Sequence, residues 1–197
     1  MAAAPITVVP ENYREVRHFV LTDSTNIVML NLLSLIPLGV AVVSMLGWWI
    51  LTASWRGPEP AAPDFPWWIG LLLALVIVLP LHELIHGIAI SAVGHHARYG
   101  IKLSAGVLYA TADNAYFRRD EYLLVAVAPL VVITVVSMIL MGFAPGWVGY
   151  YLAIGVILNA GGAVGDLWSS ALLLRYPTSA LIRDEQDGFR IYTPVPR

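Results

Sequence analysis

Hydrophobic residues gather in four long blocks along this chain, and polar residues fall mainly in the gaps between them. The blocks cover residues 27–52, 67–93, 123–143 and 147–174. About 20 mostly apolar residues suffice for a helix to cross the hydrocarbon of a bilayer, so each block predicts one transmembrane helix. Trp48 and Trp49 lie near the end of the first block and Trp67 and Trp68 open the second. Such aromatic pairs suit the membrane–water interface. The intervening RGPEPAAPDFP is too rich in proline for a helix and predicts a short exposed connector. One stretch has a different rhythm. In IKLSAGVLYAT, residues 101–111, the side chains of Ile101, Leu103, Ala105, Val107 and Tyr109 share a parity. A period of two predicts strand.

The expected fold class is therefore an all-α membrane protein: four transmembrane helices with a short β-like hairpin between helices 2 and 3. A single integral membrane domain would span 1–197, with tails at 1–26 and 175–197. Composition agrees. The chain is 58% hydrophobic and 12% charged, whereas soluble chains carry about 25% charged residues. The lipid bilayer is thus its expected surroundings. A net charge of −2 gives no case for nucleic acid, and the sequence assigns no oligomeric state.

Basic residues orient the spans. Arg14 and Arg17 precede the first, Arg98, Lys102, Arg118 and Arg119 lie between the second and third, and Arg175, Arg183, Arg190 and Arg197 follow the fourth. Only Arg56 lies in a loop on the other side. An excess of Lys and Arg marks cytoplasmic segments, so both termini are expected to be cytoplasmic in a multi-pass protein of the cell membrane.

Inside the second block the sequence reads PLHELIHG. Ionisable groups at such depth are costly and imply function by default. His82, Glu83 and His86 form H-E-x-x-H. Positions i and i+4 share a helix face, so both imidazoles can reach one Zn²⁺, and Glu83 falls beside a metal-bound water as a general base. Zinc lowers the pKa of that water and polarises a carbonyl. The chain has no cysteine, so the remaining ligand must offer nitrogen or oxygen. The longer pattern with a third histidine is excluded, because Ala89 and Ala92 stand where it needs Gly and His. Asp166 is the other acidic residue within the four blocks and the expected third ligand, with Asp113, Asp120 and Glu121 next in line. His18, His95 and His96 are expected to be solvated.

HELIHG in an apolar helix, AVAPL around Pro129, and an Asn seven residues before an Asp in a later block (Asn159, Asp166) together resemble the site-2 protease group of intramembrane metalloproteases. More narrowly, the chain is similar to small zincin-like peptidases of otherwise unknown function. The resemblance covers roughly residues 67–174. It implies His82, His86 and Asp166 on zinc, Glu83 as base, and Asn159 near the substrate or intermediate. An asparagine there can donate to a developing oxyanion or serve as an interhelical hydrogen bond. The function expected is a zinc metalloendopeptidase that hydrolyses membrane-protein or peptide substrates within or near the bilayer. The rival is a non-hydrolytic metal-binding membrane protein: a transporter, a sensor or a degenerate protease scaffold.

Overall fold

The apolar blocks become helices whose ends are set by local chemistry. In the computed structural model, residues 6–20, 23–58, 60–62, 64, 66–102, 107–112, 115–185 and 188–195 are described. After strand β1 (Tyr13–Val20), the Asp23 side chain accepts from the Thr25 amide and starts α1 (Ser24–Leu33). This helix continues past Ser34 into α2 (Leu35–Ala53), and α3 follows over Trp67–Ala92. Gly94 ends α3 with a φ of 95°, a value that favours glycine. The turn is closed by Gly94 N–H to the Ser91 carbonyl and His95 N–H to the Ile90 carbonyl, both 3.1 Å. Then come β2 (Ala97–Lys102), β3 (Val107–Ala112), β4 (Phe117–Arg118) and α4 (Arg119–Phe143). The chain finishes with α5 (Gly146–Gly162), α6 (Val164–Leu173), β5 (Leu181–Glu185) and β6 (Gly188–Pro194).

Among the described residues, three helical runs are each long and apolar enough to cross a membrane: Ser24–Ala53, α3 and α4. The block at 147–174, expected as one helix, is a pair. α5 and α6 meet the same test only together and are bent by 46° at their junction. Outward residues such as Leu72, Val76 and Leu79 are at least half exposed, the surface that lipid requires of a helix whose backbone bonds are satisfied internally. Inward, Met45, Met141 and Val156 join α2, α4 and α5. Trp48 ties two of these helices together by donating to the Met138 carbonyl at 2.9 Å.

Two sheets complete the molecule. The expected hairpin is present as β2 and β3, antiparallel from Ala97 opposite Ala112 to Lys102 opposite Val107. It begins at Ala97 rather than Ile101, and its tip, 103–106, lies outside the described residues. The other sheet corrects the all-α expectation. Strands β1, β6, β5 and β4, in that order, form an antiparallel sheet built largely from the two segments expected to be tails. Alternation explains it: Phe19, Ile182, Phe189 and Ile191 point to one face and are buried with Phe117, Ile90 and Leu173. Polar residues such as Arg190, Glu15 and Glu185 are linked on the sheet by ion pairs of 3.1 and 2.7 Å. The alternation is confined to short strands, and nothing local tells β1 that its partner is β6, across the whole length of the chain.

Candidate metal centre

Helix α3 places His82 and His86 one turn apart with rings 4.8 Å between centroids. Across from them, the junction after α5 turns the first residues of α6 inward. Asp166 lies in the first turn of α6, where a helix N-terminus favours negative charge. Its Oδ2 is 3.2 Å from His82 Nε2 and 3.5 Å from His86 Nε2, and the two Nε2 atoms are 3.1 Å apart. One ligand atom from each of the three lies within 4.8 Å of the others. The histidine side chains are 13% and 12% exposed and the aspartate 26%. One side of the cluster is thus open, as a catalytic metal needs and a closed structural site does not.

The distal nitrogens test whether this set fits a metal. His82 Nδ1 is 2.8 Å from Asn159 Oδ1, and His86 Nδ1 is 2.9 Å from the Val125 carbonyl. Both partners are acceptors, so both Nδ1 atoms carry the proton and both Nε2 lone pairs face the gap shared with Asp166. A histidine that ligates through one nitrogen and donates through the other is the usual arrangement at metal sites. The residues fit a zinc ion.

The acceptor for His86 has a covalent origin. Pro129 sits inside α4 and has no N–H for the carbonyl four residues earlier, which is that of Val125. The carbonyl left over in the helix takes the histidine. Asn159, 2% exposed, also donates from Nδ2 to the Pro129 carbonyl at 3.3 Å. One proline turn therefore orients His86 directly and His82 through Asn159. These backbone acceptors have no side-chain signature, and Pro129 is the signal that points to them.

Glu83 is next to the ligands and lies beside the Ala110 amide of the hairpin. It lines a cleft of about 270 Å³ together with His82, His86 and Asp166. Gly87 lets the hairpin come this close, since a Cβ there would collide with the Tyr99 ring of β2. The roof of the cleft was not expected. Tyr122, Thr111, Asp184, Glu185 and Gly188 line it, the last three from β5 and β6.

Other sequence candidates lie elsewhere. Asp120 pairs with Arg119 at 2.8 Å, and Glu121 with Arg118 at 2.7 Å. Asp113 falls outside the described residues. His96 is exposed, and His18 pairs with Glu185 at 3.2 Å. His95, expected to be solvated, is 5% exposed beneath the Phe117 ring, with Glu121 at 3.8 Å. Burial holds its imidazole below the usual value, against the pull of that carboxylate. The turn at Gly94 is what carries it inward.

Comparison with known proteins adds a relative and a family. An uncharacterized 24.7 kDa protein in gap 5'region of Pyrococcus woesei is 29% identical over 119 residues, which is 58% of this chain and 51% of that protein. The chain thus spans about half the length of this relative. No solved structure matches. A family model covers residues 75–181, more than half of the chain, and encloses the HELIH helix, Pro129, Asn159 and Asp166. By that match, and with the His82, His86 and Asp166 side chains converging inside the matched region, the chain belongs to the family described as "Putative zincin peptidase".

Proposed function

We propose that the chain is an intramembrane zinc metalloendopeptidase of the site-2 protease type. The observation that carries this reading is the convergence of His82 Nε2, His86 Nε2 and Asp166 Oδ2, with both distal imidazole nitrogens tied to acceptors. Zinc held there supplies Lewis acidity and brings hydroxide within reach near neutral pH. Glu83, which lines the same cleft, takes the proton of the attacking water and returns it to the departing amine nitrogen. Asn159 acts by fixing the His82 ring, since its Oδ1 accepts from His82 while its Nδ2 donates to the Pro129 carbonyl.

The β2–β3 hairpin favours a substrate held extended. Leu108 to Thr111 of β3 border the cleft, and β3 has a strand partner on one side only among the described residues. A locally unwound span could pair with the other edge. Strands β1 and β6, on either side of all the helices, belong to one sheet, which requires an even number of membrane crossings. This supports reading α5 and α6 as one bent span, four in all, with both ends on one side, and the excess of Arg in those end segments favours the cytoplasm.

The test compares zinc content and cleavage of a membrane-span reporter. Glu83→Gln is expected to retain zinc and lose about 10²–10⁴ in rate. Asp166→Ala is expected to lose both zinc and activity. Cleavage by Glu83→Gln at the wild-type rate would refute hydrolysis by this mechanism. Zinc bound by a wild type that cleaves nothing would favour a metal-binding protein without hydrolysis.

A further inference from the structure

One carboxylate in the cleft has no part in the chemistry above. Strand β5 reads LIRDE, and Asp184 shares its parity with Ile182, which is fully buried. In the sheet register, Phe19 of β1 lies opposite Phe189 of β6, and Phe189 lies opposite Asp184. The row across the inner face is thus Phe, Phe, Asp. A carboxylate occupies a position where the pattern calls for an apolar side chain, and it borders the same cleft as His82, His86 and Asp166.

Its partners are neutral. Tyr122 Oη donates to Asp184 Oδ1 at 3.2 Å, and the Thr111 hydroxyl donates to the same carboxylate. No described Arg, Lys or His makes an ion pair with it. The neighbouring Glu185 differs, being held by Arg190 at 2.7 Å and His18 at 3.2 Å. Arg183, of opposite parity, lies over the Tyr116 ring. Buried carboxylates are ordinarily paired with a cation. Here a carboxylate borders an open cleft with no cation in direct contact among the described residues, and His86 acts on it only through space.

We infer that Asp184 is a specificity-determining residue that receives a basic side chain, Lys or Arg, of the substrate close to the bond to be cut. The inference rests on the proposed reading of the cleft as a peptidase site at the cytoplasmic end of the spans. Membrane spans carry Lys and Arg in their cytoplasmic flanks, so a substrate entering the cleft along β3 presents a cation to the side from which β5 closes it. The pair would be a charge-assisted hydrogen bond in a partly dehydrated place.

Binding tests this independently of hydrolysis. The full chain carrying Glu83→Gln, loaded with zinc in nanodiscs, is titrated with fluorescent membrane-span peptides. These differ in one flanking residue, Lys or its uncharged isostere norleucine. The Lys peptide is expected to bind about 10-fold more tightly, as befits a charged hydrogen bond. Adding Asp184→Asn should bring the two affinities within about twofold, while Asp184→Glu should keep the preference. Equal affinities without any change at 184 would overturn the inference, and so would a preference that survives Asp184→Asn. If selectivity is found but the wild type cleaves neither peptide, the hydrolytic reading fails and only the capture of a basic side chain by Asp184 stands. If the wild type cleaves both with equal affinity, this one fails alone.

Discussion

At the scale of single residues, Asp184 has a cost as well as a use. Burial pushes its carboxyl up to about 6, against the hydrogen bonds from Thr111 and Tyr122. An unfolded aspartate titrates near about 4. Between those values the folded chain holds a proton that the unfolded chain has released, so stability falls as pH rises through the window. Above it the deprotonated form is penalised by at most about 3 kcal/mol, and by less because the side chain is partly exposed. Asp184→Asn keeps a hydrogen-bond acceptor and removes the charge. It should therefore raise the thermal midpoint near pH 7.5, with a gain over wild type that shrinks towards pH 4. His86 and Asp166 act on this carboxylate through space, so the two proteins are compared at equal zinc occupancy. A gain that stays constant from pH 4 to 7.5 would mean that this carboxylate is not desolvated.

At the scale of elements, the helix containing Pro129 does the most to shape the site. Proline inside a helix is unfavourable by about 3 kcal/mol, and here the carbonyl that it frees is the acceptor for His86. Pro129→Ala would supply an N–H that competes with the imidazole for Val125. The expected result is a metal-free protein with a higher thermal midpoint and a zinc affinity lowered by about 10-fold, read by competition with a chelator. Unchanged affinity would dissociate the proline from the site. The same helix shows where sequence is legible and where it is not. His82 and His86 can be paired from sequence because they lie on one face of one helix. Asp166 can be added because a carboxylate in an apolar block is expensive without a partner. The Val125 carbonyl belongs to no side chain, and the bend between α5 and α6 depends on packing that hydropathy does not encode. Asp184 was hidden differently. Its strand reads as part of a polar tail, so nothing in the sequence fixes which parity faces inward.

At the scale of the whole molecule, the sheet constrains topology more tightly than the count of apolar helices. Strand β1 precedes the first span, β4 lies between α3 and α4, and β5 and β6 follow α6, yet all four are hydrogen-bonded together. If the helices cross a membrane, a chain whose β1 and β6 pair has both of those strands on one side. If α5 and α6 formed a re-entrant loop, three crossings would leave β1 and β6 on opposite sides of the membrane. The sequence contains no cysteine, so introduced ones report cleanly. Ala61→Cys, in the connector between α2 and α3, should react with an impermeant thiol reagent in intact cells. Ser179→Cys, beside the sheet, should react only after permeabilisation. Arg14 and Thr193 are directly opposite in the β1–β6 register, and facing residues of antiparallel strands are close enough for a disulfide. The pair Arg14→Cys and Thr193→Cys should therefore cross-link on mild oxidation of isolated membranes, whereas Arg14→Cys with Ala61→Cys should not. Labelling of Ser179→Cys from outside in cells where Arg14→Cys is protected would place the two ends on opposite faces. That result would exclude the sheet as the roof of the cleft, and with it any contact between Asp184 and substrate.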